Sequence, residues 1–338
     1  MNKPEVSVII PVYKVEDYIG RCCRGLFSQT LESIEYIFID DCSPDRSVSV
    51  IEDALSDFPS RKPQVRLLRT ERNSGQAAVR ALGIREATGE YVIHCDSDDW
   101  PEPSMYGKLY SKAKEEDADI VICDMFRSDG TADTFFGCGF SGSACFGRDV
   151  VAKRVFPALW NKLVRRSLFD WEHFTFPEGN LGEDYALTAQ VAVRSSRVCH
   201  VPEPLYHYFT NPASITKDTG RANVVGKYLT SLGNIRLVED VFRRAGMLPE
   251  YAACIQAAKI SDRFYLLRDY LDQPDVRQAW KTSVPELRGH SWLLNGEAQL
   301  KARLMSLLVD LGIYRSFLRI PSEASGIHIF TMPCHPKG

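Results

Sequence analysis

The sequence predicts an α/β protein: a mostly parallel sheet with helices on both faces, followed by a helical C-terminal region. Three observations predict it. Short apolar runs alternate with stretches of helical period through roughly the first 125 residues. Those runs are apolar throughout rather than at every second position, as expected of strands buried on both faces. After about Gly220 the pattern becomes almost wholly helical.

The elements follow in order. VSVIIPV (6–12) is a buried strand, and Val15, Ile19, Cys23 and Leu26 then step at helical spacing. IEYIFID (34–40) is the second strand, and Ser43-Pro44-Asp45 opens a helix that runs to about Leu55. VRLLRT (65–70) is the third strand. Gln76 to Ala87 reads as a helix closed by Gly89 as its C-terminal glycine. YVIHCD (91–96) is the fourth strand, Glu102 to Glu116 a helix and ADIVIC (118–123) a fifth strand. Residues 127–147 are Gly/Ser/Asp-rich and read as loop. Helical pieces are expected near 148–156 and 182–195, with short strands near 197–201 and 204–209. The clearest later helices are 221–245, 249–270 and 298–318.

The 338 residues, 44% hydrophobic and 25% charged, are ordinary globular material with ample capacity for a core. A net charge of -3 gives no sign of a nucleic-acid partner. Apolar runs fall short of the roughly 18 residues a membrane-spanning helix needs, and the N-terminus does not read as a signal peptide. The ten cysteines form neither a CxxC pair nor a zinc-finger spacing, so they are expected as free thiols in a reducing cytoplasm.

In such sheets ligands bind beyond the carboxyl ends of the strands. Asp40-Asp41 ends the second strand, and Asp96, Asp98 and Asp99 follow the fourth, so both acidic groups fall on the ligand edge. Clustered carboxylates repel and raise one another's pKa unless something compensates them. Mg²⁺ or Mn²⁺, completed by a phosphate-bearing ligand, is one efficient compensation. The bland alternative, an acid capping the next helix with Pro101 near its first position, suits Asp99 but leaves Asp96 unexplained. An EF-hand is excluded, because its sixth position would be Pro101 and its twelfth Gly107. A phosphatase-type aspartyl nucleophile usually has Thr four residues on, where this chain has Trp100.

The ordered set VSVIIPVYKVEDYI, IEYIFIDDCSPD and NSGQAAVRALGIREATGEYVIHCDSDDW resembles the inverting, nucleotide-sugar-dependent glycosyltransferases of family two, which have the GT-A fold. The likeness covers about residues 5–125 and continues more weakly through LWNKLVRRSLFDWEHFTFPEGNLGEDYALTAQVAV and PLYHYFTNPASIT. It implies roles for particular residues. Pro11, Tyr13 and Glu16 would line the base and ribose pocket, with Tyr13 stacked on the base. Asp40 or Asp41 would accept from a pyrimidine N–H, and Asn73, Gly75 and Arg80 would lie along the nucleotide. Asp96 and Asp98 would form the DxD motif, Asp98 as direct metal ligand and Asp96 toward ribose or metal, with His207 near the diphosphate or metal. A satisfied structural histidine is the equal alternative there. Two departures stand out: Cys42 where the family commonly has Gly, in a turn that tolerates positive φ, and Ala81 where it has Asn.

Glu183-Asp184 opens an apolar helix after Gly182, where an acid is favoured by the helix dipole whatever its function. The resemblance makes Asp184 the general base, with Glu183 as the alternative, in a single displacement with inversion. Trp100 and Trp160, with Lys162, Arg165 and Arg166, suit an acceptor or diphosphate; equally, Trp160 suits the core and KLVRR a solvated helix face. GCGFSG (137–142) matches GxGxxG without the strand and helix that motif requires, and reads as a mobile loop near the acceptor side.

The segment 301–320 is basic with a long apolar stripe, suited to an anionic membrane surface, to the core or to a homodimer contact. The expected organisation is a transferase domain over 1–215, with a nucleotide-sugar half (1–125) and an acceptor half (126–215), and a helical region over 216–325. The expected activity moves a sugar from a donor, UDP-linked by expectation, to a saccharide or lipid-linked saccharide of a cell-surface polysaccharide. The rivals are a nucleotide-sugar-binding subunit without turnover and a metal-dependent nucleotidyl- or phosphotransferase.

Overall fold

The computed structural model describes residues 3–211, 223–289 and 291–312. Parallel strands β1 (Val6–Val12), β2 (Ile34–Asp40), β3 (Val65–Arg69) and β4 (Tyr91–His94) lie in the order β3-β2-β1-β4. The sheet continues through β8 (Lys162–Arg165), β6 (Ile120–Ser128), β9 (Val198–Phe209) and β5 (Trp100–Pro101), while β7 (Asp133–Phe136) pairs with β6. β8 runs antiparallel to both neighbours, and β6 and β9 are parallel to each other. The predicted sheet is therefore present, with its parallel half at the N-terminus.

Helices α1 (Ile19–Phe27), α2 (Ser47–Ser56), α3 (Gln76–Glu86) and α4 (Met105–Glu115) connect the first strands. α3 starts at Gln76, where the sequence pattern placed it, while α1, α2 and α4 start three or four residues later; the acidic turns before α2 and α4 are used for other bonds. Asp45 accepts from both the N–H and the hydroxyl of Ser47. Asp99 does not cap α4: it accepts from the Phe209 N–H at 2.7 Å, and the residues after it form β5. Gly89 is not a helix-ending glycine, since α3 stops at Glu86 and leaves through extended Ala87. Its reason is space, as a Cβ there would lie 2.6 Å from Ser7 Oγ and 2.7 Å from Ser7 N.

α5 (Phe146–Val151) and α6 (Glu183–Arg194) cover one sheet face, and α7 (Val224–Arg244), α8 (Leu248–Leu267), α9 (Pro274–Thr282) and α10 (Leu300–Asp310) continue the same core. A second core, with Tyr36, Tyr91, Tyr106 and Trp160, fills the opposite face. The sequence placed 313–318 in the last helix and an apolar stripe out to 320; those positions lie outside the described residues, as do 212–216 of PLYHYFTNPASIT and 221–222 of the helix expected from 221. Along α10, Leu300 and Leu304 are exposed, while Ala302 and Ser306 are buried. No helix among the described residues is long and apolar enough to cross a membrane.

The close seat of α3 on the sheet gives a first prediction. A Cβ at Gly83 would lie 2.3 Å from Ile9 Cγ2 and 3.0 Å from Ile39 Cδ1. Alanine gains up to roughly 1 kcal/mol of helix propensity, but overpacking a filled core costs about 1–3 kcal/mol. Gly83→Ala should therefore lose roughly 1–2 kcal/mol net in urea unfolding. A gain in stability would mean that α3 lifts off the sheet freely.

Candidate functional site

The motifs meet where β1, β2 and β4 end. Leaving β1, Tyr13 is 37% exposed with the Lys14 ammonium 5.3 Å from its ring centre, and Pro11 is partly buried within the strand. Lys14 and Cys42 both have φ near +55°, at 54° and 58°. The Cys42 value fits the position at which a glycine would be unstrained. Glu16 is exposed and ties two loops together: its N–H donates to Asp45, and its carboxylate accepts from the Arg46 N–H.

The two acids ending β2 have different surroundings. Asp41 organises the loop after β3. One oxygen accepts from Thr70 Oγ1 and the Ser74 N–H, the other from the Gly75 N–H, all at 2.8 Å. Asp40 accepts from the Ser43 N–H at 2.9 Å and faces Arg69 Nε at 3.2 Å, yet its Oδ2 is buried without a hydrogen bond. Gly75 holds φ +85° with its α-carbon against Asn180, whose Oδ1 in turn accepts from the Ala77 N–H at the start of α3. Asn73 is exposed on the same loop.

The DxD turn is fixed from several elements. The Asp96 N–H donates to Tyr206 OH at 3.0 Å, Asn211 donates to Asp98 Oδ2 at 2.9 Å, and Arg21 donates to the Asp98 carbonyl at 3.0 Å. The Arg21 guanidinium lies 3.8 Å from the Trp100 ring centre and 4.4 Å from that of Phe209. Burial, and the negative charge of the neighbouring aspartates, raise the carboxyl pKa of Asp98 and, further, that of Asp99.

Arg80 connects this turn to the second acidic motif. Its side chain is fully buried, with Nη2 2.8 Å from Asp96 Oδ1, Nε 3.1 Å from Asp184 Oδ1 and Nε 3.7 Å from Glu183 Oε1. The Asp184 contact lies off the N–H direction, so charges attract there without a formed hydrogen bond. Three carboxylates around one guanidinium carry excess negative charge. Burial raises the pKa of both Glu183 and Asp184 against the pull of Arg80, Glu183 further. The stronger push on Glu183 leaves Asp184 the more readily ionised of the two.

Among the described residues, the buried carboxylate oxygens without a hydrogen bond belong to Asp40, Asp99 and Asp184. All three stand at the acidic motifs, and unsatisfied buried acceptors of this kind call for a partner. The carboxylates of Asp96 and Asp98 in the DxD turn are hard-oxygen donors of the kind that Mg²⁺ or Mn²⁺ takes.

Other expected site residues have protein partners of their own. Both nitrogens of His207 face carboxylates, Nε2 at 2.6 Å from Glu102 and Nδ1 at 3.1 Å from Asp133, and its ring stacks on Trp100. Trp160 is core, stacked on Tyr206 at 4.3 Å. KLVR of KLVRR is strand β8 rather than a solvated helix face, and Arg166 opens a short 3-10 turn. Lys162 is buried and donates to the carbonyls of Phe156 and Ala158 and to Asn161 Oδ1, Arg165 pairs with Asp117 and Asp119, and Arg166 donates to the Gly89 carbonyl. Sequence reasoning missed Arg21, Asn180 and Asn211. Both asparagines stand inside the motif stretches, but a lone polar residue in a loop carries no directional signal.

A family model described as Glycosyl transferase family 2 matches residues 7–183, just over half of the chain. The Uncharacterized glycosyltransferase EpsJ of Bacillus subtilis is 30% identical over 223 residues, 63% of each chain, so the match spans less than two thirds of that relative. Among solved structures, S. aureus TarS in complex with UDP-GlcNAc is similar with a TM-score of 0.58 at 16% identity, over 91% of this chain and 92% of that one. Mannosyltransferase PcManGT from Pyrobaculum calidifontis, in complex with GDP-Man and Mn²⁺, gives 0.52 at 16% identity over 92% and 88%. The fold is that of the GT-A glycosyltransferases.

Proposed function

The chain belongs to glycosyl transferase family 2, and from that premise we propose that it transfers a sugar from a nucleoside diphosphate donor, UDP-linked by preference, to a saccharide of a cell-surface polysaccharide, with inversion. The observation that carries this reading is Arg80, which ties Asp96 of the DxD turn to Asp184 of the second motif within 2.8 and 3.1 Å. A donor-binding acid and a candidate base thereby face one space. The UDP-GlcNAc bound to the TarS relative supports the donor class. The Mn²⁺ in the PcManGT relative supports a divalent cation.

In this reading Tyr13 stacks on the base and Asp40 Oδ2 accepts its N–H, because the oxygens of Asp41 already hold the 70–75 loop. Asp98, with Asp96, holds Mn²⁺ or Mg²⁺, which when bound neutralises charge on the donor diphosphate. Asp184 takes the proton of the acceptor hydroxyl. As that oxygen bonds to the anomeric carbon, the bond from carbon to the diphosphate oxygen breaks on the opposite face. The nucleoside diphosphate leaves with the bonding pair. Arg80 keeps the two acids apart and aligned.

Thermal unfolding with UDP, GDP, dTDP and CMP, each with Mn²⁺ and with chelator, tests the donor site. A ligand at about a hundred times its Kd adds roughly 2.7 kcal/mol. A metal-dependent rise with UDP is expected. A rise with no nucleotide would overturn the donor-site reading, and release of pyrophosphate instead of a nucleoside diphosphate would replace it with nucleotidyl transfer.

A further inference from the structure

Outside the DxD turn, three side chains of different chemistry converge from β6, β9 and the loop after β7. Asp124 lies on β6 where its pairing with β9 shifts register on either side, so the ladder is locally opened at this residue. Cys138 lies in the GCGFSG loop after β7, and His200 lies on β9. Asp124 Oδ1 is 3.2 Å from His200 Nε2, and Cys138 Sγ is 3.6 Å from the same nitrogen. The three ligand atoms all lie within 4.8 Å of one another.

We propose that Asp124, Cys138 and His200 form a binding site for a zinc-class divalent cation, distinct from the cation of the DxD turn. Geometry supports it first. For zinc bonds of about 2.0 Å to nitrogen or oxygen and about 2.3 Å to sulfur at tetrahedral angles, the ligand atoms stand about 3.5 Å (S···N) and about 3.3 Å (N···O) apart. The observed 3.6 and 3.2 Å are within 0.1 Å of those edges.

Ligand type supports it next. A thiolate and an imidazole select zinc-like ions over Mg²⁺ or Mn²⁺. Charge agrees, since thiolate and carboxylate together neutralise a divalent ion, as burial demands. Asp124 and Cys138 are 6% and 2% exposed, while the His200 side chain is 23% exposed and leaves an entry for the ion and a fourth ligand such as water.

The site is also preorganised. The Cys138 N–H donates to Asp124 at 2.9 Å and its carbonyl accepts from the Phe156 N–H at 3.1 Å. Gly139, at φ +82°, lets the loop pass the Arg154 carbonyl, which a Cβ would approach to 2.8 Å. Gly139 of the stretch that resembles a nucleotide motif therefore serves to seat a cysteine. A bound ion would join this loop to β6 and β9.

Co²⁺ titration of the chelator-treated full chain tests this. The expected result is about one equivalent bound with a thiolate-to-cobalt charge-transfer band in the near ultraviolet, displaced by Zn²⁺. Cys138→Ser and His200→Gln should each abolish the band while circular dichroism shows an unchanged fold, and Asp98→Asn should keep it. A Zn²⁺-dependent rise in melting temperature should vanish with the same two variants. No band in the folded wild type, or a band that survives Cys138→Ser, would reduce the cluster to an Asp124–His200 ion pair and overturn the proposal. If Cys138→Ser fails to fold, His200→Gln alone decides.

Discussion

Replacing Asp184 with Asn should lower sugar transfer by roughly 100- to 10,000-fold while nucleotide-dependent stabilisation persists. The change is nearly isosteric, so packing at the start of α6 is kept and only proton-accepting ability is removed. Asp184 Oδ1 is buried against Arg80 Nε at 3.1 Å, while the side chain as a whole is 23% exposed, which leaves its other oxygen to meet an arriving hydroxyl. Glu183→Gln should have a much smaller effect, because burial and the neighbouring Asp184 charge raise the Glu183 pKa and keep it a proton holder rather than a base.

The pH profile adds an independent readout. Burial, opposed by Arg80, raises the Asp184 pKa, and the base must be ionised to act. Transfer should therefore fall as pH drops through a value above the ordinary carboxylate range, while the Asp184→Asn residue of activity should show no such limb. Unchanged transfer by Asp184→Asn would remove the base assignment. Loss of nucleotide binding in the same variant would place Asp184 in the donor site instead.

Much of the parallel half was legible because its strands are buried on both faces and leave unbroken apolar runs. β8 was not, since Lys162, Arg165 and Arg166 look like a solvated face. Each finds its partners by tertiary contact: three acceptors for Lys162, two aspartates for Arg165 and the Gly89 carbonyl for Arg166. β9 was expected as two short strands, near 197–201 and 204–209, and Pro202 and Pro204 fall at the break between them. It continues as one strand because the register shift at Asp124 absorbs the irregularity.

At the site, the acids themselves were visible as motifs on a predicted sheet edge. Their division of labour was not. Asp99 resembled a helix cap by local spacing, yet its partner Phe209 is 110 residues away. Asp40 and Asp41 were equivalent on paper and differ only because the loop after β3 folds back onto Asp41. Arg80 was expected along the nucleotide, and its burial among three carboxylates is a product of α3 and α6 meeting over the end of β4.

That burial makes Arg80→Met the variant with the largest expected loss of stability. Methionine fills much of the volume but leaves Asp96, Asp184 and Glu183 without their cation. Removing one partner of a buried ion pair costs about 3–5 kcal/mol, since the remaining charge stays buried. Hydrophobic replacement of the whole group would be milder, because no charge would then be stranded.

The sign of the pH dependence distinguishes this account from a simple packing defect. Without Arg80 the carboxyls of Glu183 and Asp184 lose the charge that holds their pKa values down and rise further in the folded state, whereas in the unfolded chain they keep ordinary ones. The folded state then binds more protons, so stability falls as pH rises. The deficit relative to wild type should be largest at neutral pH and shrink as pH falls toward the ordinary carboxylate range. Urea unfolding at pH 5 and pH 8 measures it directly. A deficit equal at both values would mean that Arg80 contributes volume rather than charge, and the link between the two acidic motifs would then be steric.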